Sequence, residues 1–335
     1  MPALAVADAL RERGAEVLFI GGHRAESSLV PAAGYSFEQI SVSGLDRRNP
    51  LRALRALAQA ALALRRARAL LAAARIDVVI GAGGYVAAPV ALAAWTRRIP
   101  IVLTEADSHL GLANRALAPL ARRVCLAFPI AGRRGKRYRV TGRPVAPPTA
   151  DRDAARASFA IEAGEQLVLV FGGSLGSRTI NHAALEGLVG ASFRVLHVCG
   201  ARDWPELRER PRGPRYDLRE YLERSQFAQA LAASDLVVAR AGGSIFEIAA
   251  YGRPSILVPF PAASADHQTA NAAWMEHAGA AVVLADSECD GPRLAAEVGR
   301  LIGDSAKLQA MGSAARALAR PQAAAEVATI VLAAA

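Results

Sequence analysis

The chain has 335 residues, 53% of them hydrophobic, and a formal net charge of +10 carried almost wholly by arginine. That length suits two domains of ordinary size, and the apolar fraction is enough for sizeable cores, although alanine supplies much of it and buries little area per residue. No run of about 18 or more apolar residues occurs, so no spanning helix is expected, and the start, MPALAVADALRERG, has the acidic Asp8 and no basic leader, which predicts a cytoplasmic chain. The three cysteines, Cys125, Cys199 and Cys289, are scattered and form neither a metal spacing nor a disulfide framework. Cys125 and Cys199 lie in apolar runs and read as core. A basic balance suits nucleic acid, anionic lipid headgroups or phosphorylated substrates. Aromatic residues make up only 5% of the chain and do not interleave with the basic ones, which speaks against base stacking, so no nucleic acid partner is expected. Arginine with alanine is also what a GC-rich genome produces.

The chain opens on a helix over residues 2–13 that Gly14 ends. A strand over Glu16–Ile20 follows, then Gly21, Gly22 and His23, and a helix start near Glu26. A helix in first place normally crosses over from an earlier strand, and none precedes it here. Pro50–Ala74 reads as a long helix with Arg52, Arg55, Arg65, Arg66 and Arg68 on one side and a stripe of Leu54, Leu57, Ala61 and Leu64 on another. Such a helix packs on a sheet and can also lie against an anionic membrane. The strand Ile76–Ile80 runs into GAGGYVAAP, a tight glycine turn with Tyr85 at its edge. Ile99–Thr104 opens into EADSHLGLAN, which gathers Glu105, Asp107, Ser108, His109 and Asn114 at one strand end. Arg122–Ala127 and Tyr138–Thr141 are further strands with the basic loop RRGKR between them.

TGRPVAPPTADRD, Thr141–Asp153, is the domain boundary that proline and turn residues predict. The expected division is an acceptor- and membrane-facing domain over 1–143, a second domain over 144–320, and a C-terminal helix over 321–335 packing back toward the first. After the boundary the alternation restarts. Gln166–Phe171 is a strand, GGSLGS a glycine turn and Arg178–Leu188 a helix. Phe193–Cys199 and Tyr216–Leu218 are strands, and alanine-rich helices close the chain. The most informative stretch is Arg240–Met275. It joins a buried strand, Asp235–Ala239, through RAGG to a helix and a second apolar run, Ser255–Pro259, and then to a loop with Asp266, His267, Gln268 and Asn271. This is a βαβ unit, whose ligands sit at the carboxyl ends of the strands. Glu247 near the helix start can accept hydrogen bonds from a diol such as a ribose, or can simply favour the positive end of the helix dipole.

In order along the chain stand GAGGYVAAP, VTGRPV, FGGSLGSRTIN, RAGG with FEIAAYGRPSILVPFP, and DHQTANA. This set resembles the MurG family, the peptidoglycan N-acetylglucosaminyltransferases, along nearly the whole length. The resemblance implies an α/β glycosyltransferase B-fold, two Rossmann-like doubly wound parallel-sheet domains facing a cleft, with the donor site in the second. It implies inverting transfer of N-acetylglucosamine from UDP-N-acetylglucosamine to undecaprenyl-diphosphate-muramoyl pentapeptide, lipid I to lipid II. The work would be done peripherally at the cytoplasmic face of the cell membrane and without a cofactor. Carried over position by position, Ser174 would contact the donor diphosphate, with Gly172 and Gly173 allowing close approach. Arg240, Gly242 and Gly243 would line the second turn, Glu247 would bind the ribose and Leu222 would lie near the uracil. Asp266, Gln268 and Asn271 would face the sugar. Gly83, Gly84, Tyr85, Asn114 and Arg143 would form the acceptor side. The serine and glycines can equally just shape turns, and Tyr85 can be core.

Leaving-group charge can be met by helix N-termini and arginines. No DxD-like pair follows a strand in the second half, so no catalytic metal is expected. The general base that inversion needs is sought among Asp107, Glu105 and His109. The chain departs from the family in three places. It begins at the family's P-A-x-A-x-A helix, on Pro2, Ala3, Ala5 and Ala7, so the family's first strand, glycine loop and histidine are expected to be missing and to leave apolar surface unpaired. One residue fewer separates Arg240 from Glu247, which bears on uracil and ribose contacts. A family arginine falls on Ala146, with Arg143 close by. Competing readings are a transferase for another lipid acceptor, a UDP-sugar epimerase of the same fold, and a truncated UDP-sugar binder without catalysis.

Overall fold

The computed structural model describes residues 2–23, 26–42, 50–148, 151–173, 175–263 and 266–335, with the backbone alone for 50–58 and for Tyr85. The chain divides into two compact units, one formed by Met1–Val145 with Arg320–Ala335, the other by Ala146–Ala319.

The first unit runs α1 (Pro2–Arg11), β1 (Leu18–Gly21), α2 (Glu26–Ala32), β2 (Ser36–Gln39), α3 (Pro50–Ala73), β3 (Val79–Gly81), α4 (Gly84–Thr96), β4 (Ile101–Glu105), α5 (Leu112–Leu117), β5 (Arg123–Leu126) and β6 (Tyr138–Val140). All its strand pairs are parallel, as crossover helices require. They form two pieces, β1-β2 and β3-β4-β5-β6. Among the described residues β1 pairs only with β2 and β3 only with β4, so each keeps one ladder edge without a partner. The core lies where β4 and β5 are covered by α3, α4 and α5: Ile101, Leu103, Val124 and Leu126 meet Ala63, Ala67, Leu71, Ala91 and Ala94. Small residues at 63, 67, 91 and 94 let α3 and α4 pack closely, since alanine sets no bulk between backbones. Of the stripe expected on α3, Ala61 is exposed, and the buried line runs instead through Ala63, Ala67 and Leu71. Arg52, Leu54, Arg55 and Leu57 lie outside the described side chains.

The second unit runs α6 (Arg152–Ser158), β7 (Leu167–Phe171), α7 (Arg178–Leu188), β8 (Arg194–Val198), α8 (Trp204–Leu207), β9 (Tyr216–Arg219), α9 (Arg224–Ala233), β10 (Leu236–Ala239), α10 (Ile245–Ala250), β11 (Ser255–Leu257), α11 (His267–His277), β12 (Ala281–Val283), α12 (Gly291–Ile302) and α13 (Ser305–Leu318). The last helix, α14 (Ala323–Leu332), belongs to the first unit, where Val327 and Val331 pack with Val6 and Leu10 of α1. Arg13 adds hydrogen bonds there to the Ala325 carbonyl and to Thr329. The second sheet has the order β12-β11-β10-β7-β8-β9, wholly parallel. β7 and β10 are buried at every position, so they read as continuous apolar runs, LVLVF and LVVA. Helix starts are set by side chains: Asp151 accepts from the Ala154 N–H, Asp290 from Arg293 N–H and Asp304 from Lys307 N–H. Two strands were not expected, β2 and β12. SFEQ carries three polar side chains, and AVV is three residues long in an alanine-rich stretch.

One inward position of β8 carries His197, which is fully buried. Burial, helped by the Arg212 charge, pulls its imidazole down to about 3. The folded state therefore refuses a proton that the unfolded chain accepts from about pH 6.5 downward. Stability from this group is whole above that pH and is lost as the pH falls toward 3. Between pH 6 and 5, above the carboxylate range, the unfolding free energy should drop by about 1 kcal/mol from His197. Urea unfolding across that interval measures it, and the drop should shrink by that amount in His197→Phe.

Candidate functional site

The second sheet reverses its strand order between β7 and β10: the chain builds β8 and β9 on one side, then returns to build β10, β11 and β12 on the other. At such a switch point two loops leave adjacent strand ends in opposite directions and open a crevice. The two glycine turns stand at this point, GGSLGS after β7 and RAGGS after β10.

The first turn is held by close contact. A Cβ on Gly172 would lie 2.3 Å from the Ser177 nitrogen, and one on Gly176, at φ +78°, would lie 1.9 Å from the Cys199 carbonyl oxygen. No side chain fits at either position. The Gly176 N–H donates to the Gly173 carbonyl at 2.9 Å, and Ser177 caps α7 by accepting from the Ile180 N–H at 3.4 Å. Ser174 lies outside the described residues. Leu175 is exposed at the tip of the turn.

Behind this turn lies a buried polar chain that the sequence reading did not single out. The Asn181 Nδ2 donates to the Cys199 carbonyl at 2.9 Å and to Asp203 Oδ2 at 2.8 Å. Its Oδ1 lies 3.0 Å from His197 Nε2, and His197 Nδ1 lies 2.8 Å from the Tyr216 hydroxyl. Asp203 also pairs with Arg202 at 3.2 Å and Arg178 at 3.6 Å. Burial pushes the Asp203 carboxyl up, but the Arg202 and Asn181 hydrogen bonds and the two arginine charges outweigh it and hold it below the usual range. Burial raises the Tyr216 hydroxyl. The signal available in the sequence was a histidine inside an otherwise apolar strand, LHV.

The second turn is clamped from below. Arg240 is buried, and its Nη1 donates to the Val258 and Pro259 carbonyls at 3.1 and 3.2 Å. It pairs with Asp286 at 2.5 Å and lies over the Phe260 ring. Its guanidinium thus ties together the carboxyl ends of β10 and β11 and the turn after β12, and acts on the site through Gly242 and Gly243. Glu247 is the third residue of α10, half-buried. From α11, Asn271 Nδ2 donates to the Ala241 carbonyl at 3.0 Å, and Gln268 Oε1 accepts from the Phe260 N–H at 3.0 Å. The Gln268 Nε2 remains beside Gly242, 3.9 Å from where a Cβ would stand. Asp266 precedes α11 in the left-handed region, φ 52°, and accepts from the Thr269 hydroxyl at 2.6 Å. Leu222 is buried, while its neighbour Tyr221 is exposed.

In the first unit, Gly83 and Gly84 take φ +83° and +78°, the left-handed pair that starts α4. The Tyr85 side chain lies outside the described residues. Glu105 ends β4, and its carboxylate is taken up by its own loop. Oε1 accepts from the Ala106 and Asp107 N–H groups at 3.0 and 3.2 Å, and Oε2 from the Gly111 N–H and Asn114 Nδ2 at 2.8 and 2.9 Å. Asn114 is buried, donates also to the Thr104 carbonyl, and its Oδ1 finds no donor among the described residues. Asp107 and His109 are half-buried on the loop so formed. Arg143, with Thr104, Glu105 and Thr141, lines a small recess in this unit.

Comparison with known proteins agrees with this geometry. Residues 1–126 match the glycosyltransferase family 28 N-terminal domain and residues 167–327 the glycosyltransferase family 28 C-terminal domain. A Moorella thermoacetica UDP-N-acetylglucosamine–N-acetylmuramyl-(pentapeptide) pyrophosphoryl-undecaprenol N-acetylglucosamine transferase is 41% identical, over 99% of this chain and 94% of its own. Among solved structures, Acinetobacter baumannii MurG superposes with a TM-score of 0.77 at 27% identity, covering 99% of this chain and 95% of that one. A UDP-GlcNAc 2-epimerase from Neisseria meningitidis, at 14% identity and TM-score 0.67 over 98% of this chain and 95% of its own, shares the fold alone. The chain belongs to the MurG family of glycosyltransferases, within glycosyltransferase family 28.

Proposed function

We propose that this chain is a hexosyltransferase that moves N-acetylglucosamine, with inversion, from UDP-N-acetylglucosamine to undecaprenyl-diphosphate-linked muramoyl pentapeptide, forming lipid II from lipid I. The observation that carries the reading is the pair of glycine turns at the switch point of the second sheet, in a chain 41% identical to a transferase of that name. The first turn offers backbone N–H groups and the start of α7 to the diphosphate, where charge grows as UDP leaves. Glu247 accepts from the ribose hydroxyls, and the Gln268 Nε2 faces the sugar. In the transfer, the acceptor oxygen attacks the anomeric carbon from the side opposite UDP, the bond from that carbon to the phosphate oxygen breaks, and the hydroxyl proton passes to a base. Asp107 is that base in our reading. It follows β4 on a loop that Glu105 organises with both of its oxygens, so Glu105 positions rather than abstracts. His109 is the second candidate.

Membrane apposition is proposed for the face of α3 and α4. Leu62 of α3 and Leu92 and Trp95 of α4 are exposed, 64%, 39% and 53%, as are Arg65, Arg66 and Arg68 of α3 and Arg97 and Arg98 just after α4. Arg68 donates to Thr96 across the helix pair. No described helix is long and apolar enough to cross a membrane, so contact through this face would be peripheral.

Incubation with labelled UDP-N-acetylglucosamine and the lipid acceptor should move label into the lipid extract. An epimerase would alter the donor sugar and label no lipid. Asp107→Asn should lower kcat by about 10²- to 10⁴-fold with little change in donor KM, as read in steady-state kinetics; full turnover in Asp107→Asn together with loss in His109→Ala would transfer the role to His109. Vesicles containing anionic lipid should carry the chain in flotation at low salt and release it at high salt. The double substitution Arg65→Glu, Arg68→Glu should weaken that binding, while vesicles of neutral lipid should bind little of either protein.

A further inference from the structure

Four polar side chains sit in the core of the second unit where apolar ones would hold the strands without desolvation cost. Tyr216, His197, Asn181 and Asp203 are at most 6% exposed, and each has a partner. Their directions are determined from one end. Asn181 uses Nδ2 as a donor twice, to Cys199 and Asp203, so its Oδ1 must accept. His197 then carries its proton on Nε2, and its bare Nδ1 accepts from the Tyr216 hydroxyl. A histidine held neutral by burial can adopt that single tautomer. Only one amide orientation and one tautomer satisfy all four groups.

The chain has two outputs. One is the Cys199 carbonyl, the oxygen against which Gly176 closes at a distance that admits no side chain. Gly200, the next residue, stands equally close, its Cβ position 2.3 Å from the Gly176 nitrogen. The other output is Asp203, which draws the guanidinium groups of Arg178 and Arg202 toward the start of α7. Both outputs end beside the first glycine turn.

We propose that Tyr216, His197, Asn181 and Asp203 form a positioning chain that sets the affinity of this family member for its nucleotide-diphosphate donor, by fixing the first glycine turn and the two arginines beside it. The proposal rests on the donor reading given above. None of the four touches the substrate; they act through Cys199, Gly176, Arg178 and Arg202. Tyr216 lies farthest from the turn, so its loss should be felt least.

The test uses the full chain, with UDP titrated calorimetrically and steady-state KM measured for both substrates. His197→Phe and Asn181→Asp should raise the UDP Kd and the UDP-N-acetylglucosamine KM about tenfold, the equivalent of one oriented hydrogen bond. Tyr216→Phe, which keeps the ring and the fold, should raise them about threefold. In all three, kcat and the lipid-acceptor KM should stay within about twofold. His197→Gln, whose amide can still donate to Asn181, should recover most of the donor affinity. Variants with a lowered melting temperature but unchanged donor Kd and KM would reduce the chain to core packing and overturn the proposal. Should His197→Phe and Asn181→Asp fail to fold, Tyr216→Phe alone decides, since an unchanged Kd there contradicts it. Wild-type protein that binds no UDP would overturn the donor reading itself, and this inference with it.

Discussion

The second unit depends on the approach of Gly176 to the Cys199 carbonyl. A Cβ at 176 would stand 1.9 Å from that oxygen, so the turn after β7 and the turn after β8 can interlock only through glycine. This contact brings the residues just before α7 against the end of β8. The buried Asn181 donates to the same carbonyl. One oxygen thus receives both the backbone of the glycine turn and the end of a four-residue polar chain. A change at either partner is felt by the other, because the interior around them has no slack.

The two turns are stiffened by different means. The first has no charge within its own backbone and relies on close packing. The second has a cation beneath it: Arg240, pointed inward, gathers carbonyls from β11 and the Asp286 carboxylate. Being paired and hydrogen-bonded, this buried charge is tolerated, and removal of either partner would strand the other. From α11, Asn271 then donates back to Ala241 in the same turn, and Gln268 accepts from Phe260 just after β11. In the first unit a carboxylate does the equivalent work, with Glu105 drawing four donors around itself. Each time, a charged side chain at a strand end shapes the loop.

That division explains what could be read beforehand. LVLVF, LVVA and IVLTE announce buried parallel strands because each is an apolar run ending at a glycine or polar turn. α7 was placed to the residue because Ser177 caps it and its apolar positions repeat at helical spacing. β2 and β12 went unread because SFEQ alternates too weakly and AVV is too short. On α3 the expected stripe holds at Leu64, which packs on the core, and fails at Ala61, because alanine is at home on either face and its spacing does not mark the buried line. At the site, residue type was informative and direction was not. Arg240 and Glu105 stand at strand ends facing a ligand-bearing edge, as ligands would, yet both are committed to the protein. The polar chain from Tyr216 to Asp203 was beyond reach because its members meet only when β8, β9 and α7 pack, from positions 16 to 22 residues apart.

The central claim is that the donor lies on the two glycine turns of the second unit. Hydrogen exchange of the full chain with and without UDP addresses it at residue resolution. UDP should slow exchange at the amides of 172–177 and 241–247 together, and should leave the core of the first sheet unchanged. Protection absent from both turns, or confined to the first unit, would contradict the account.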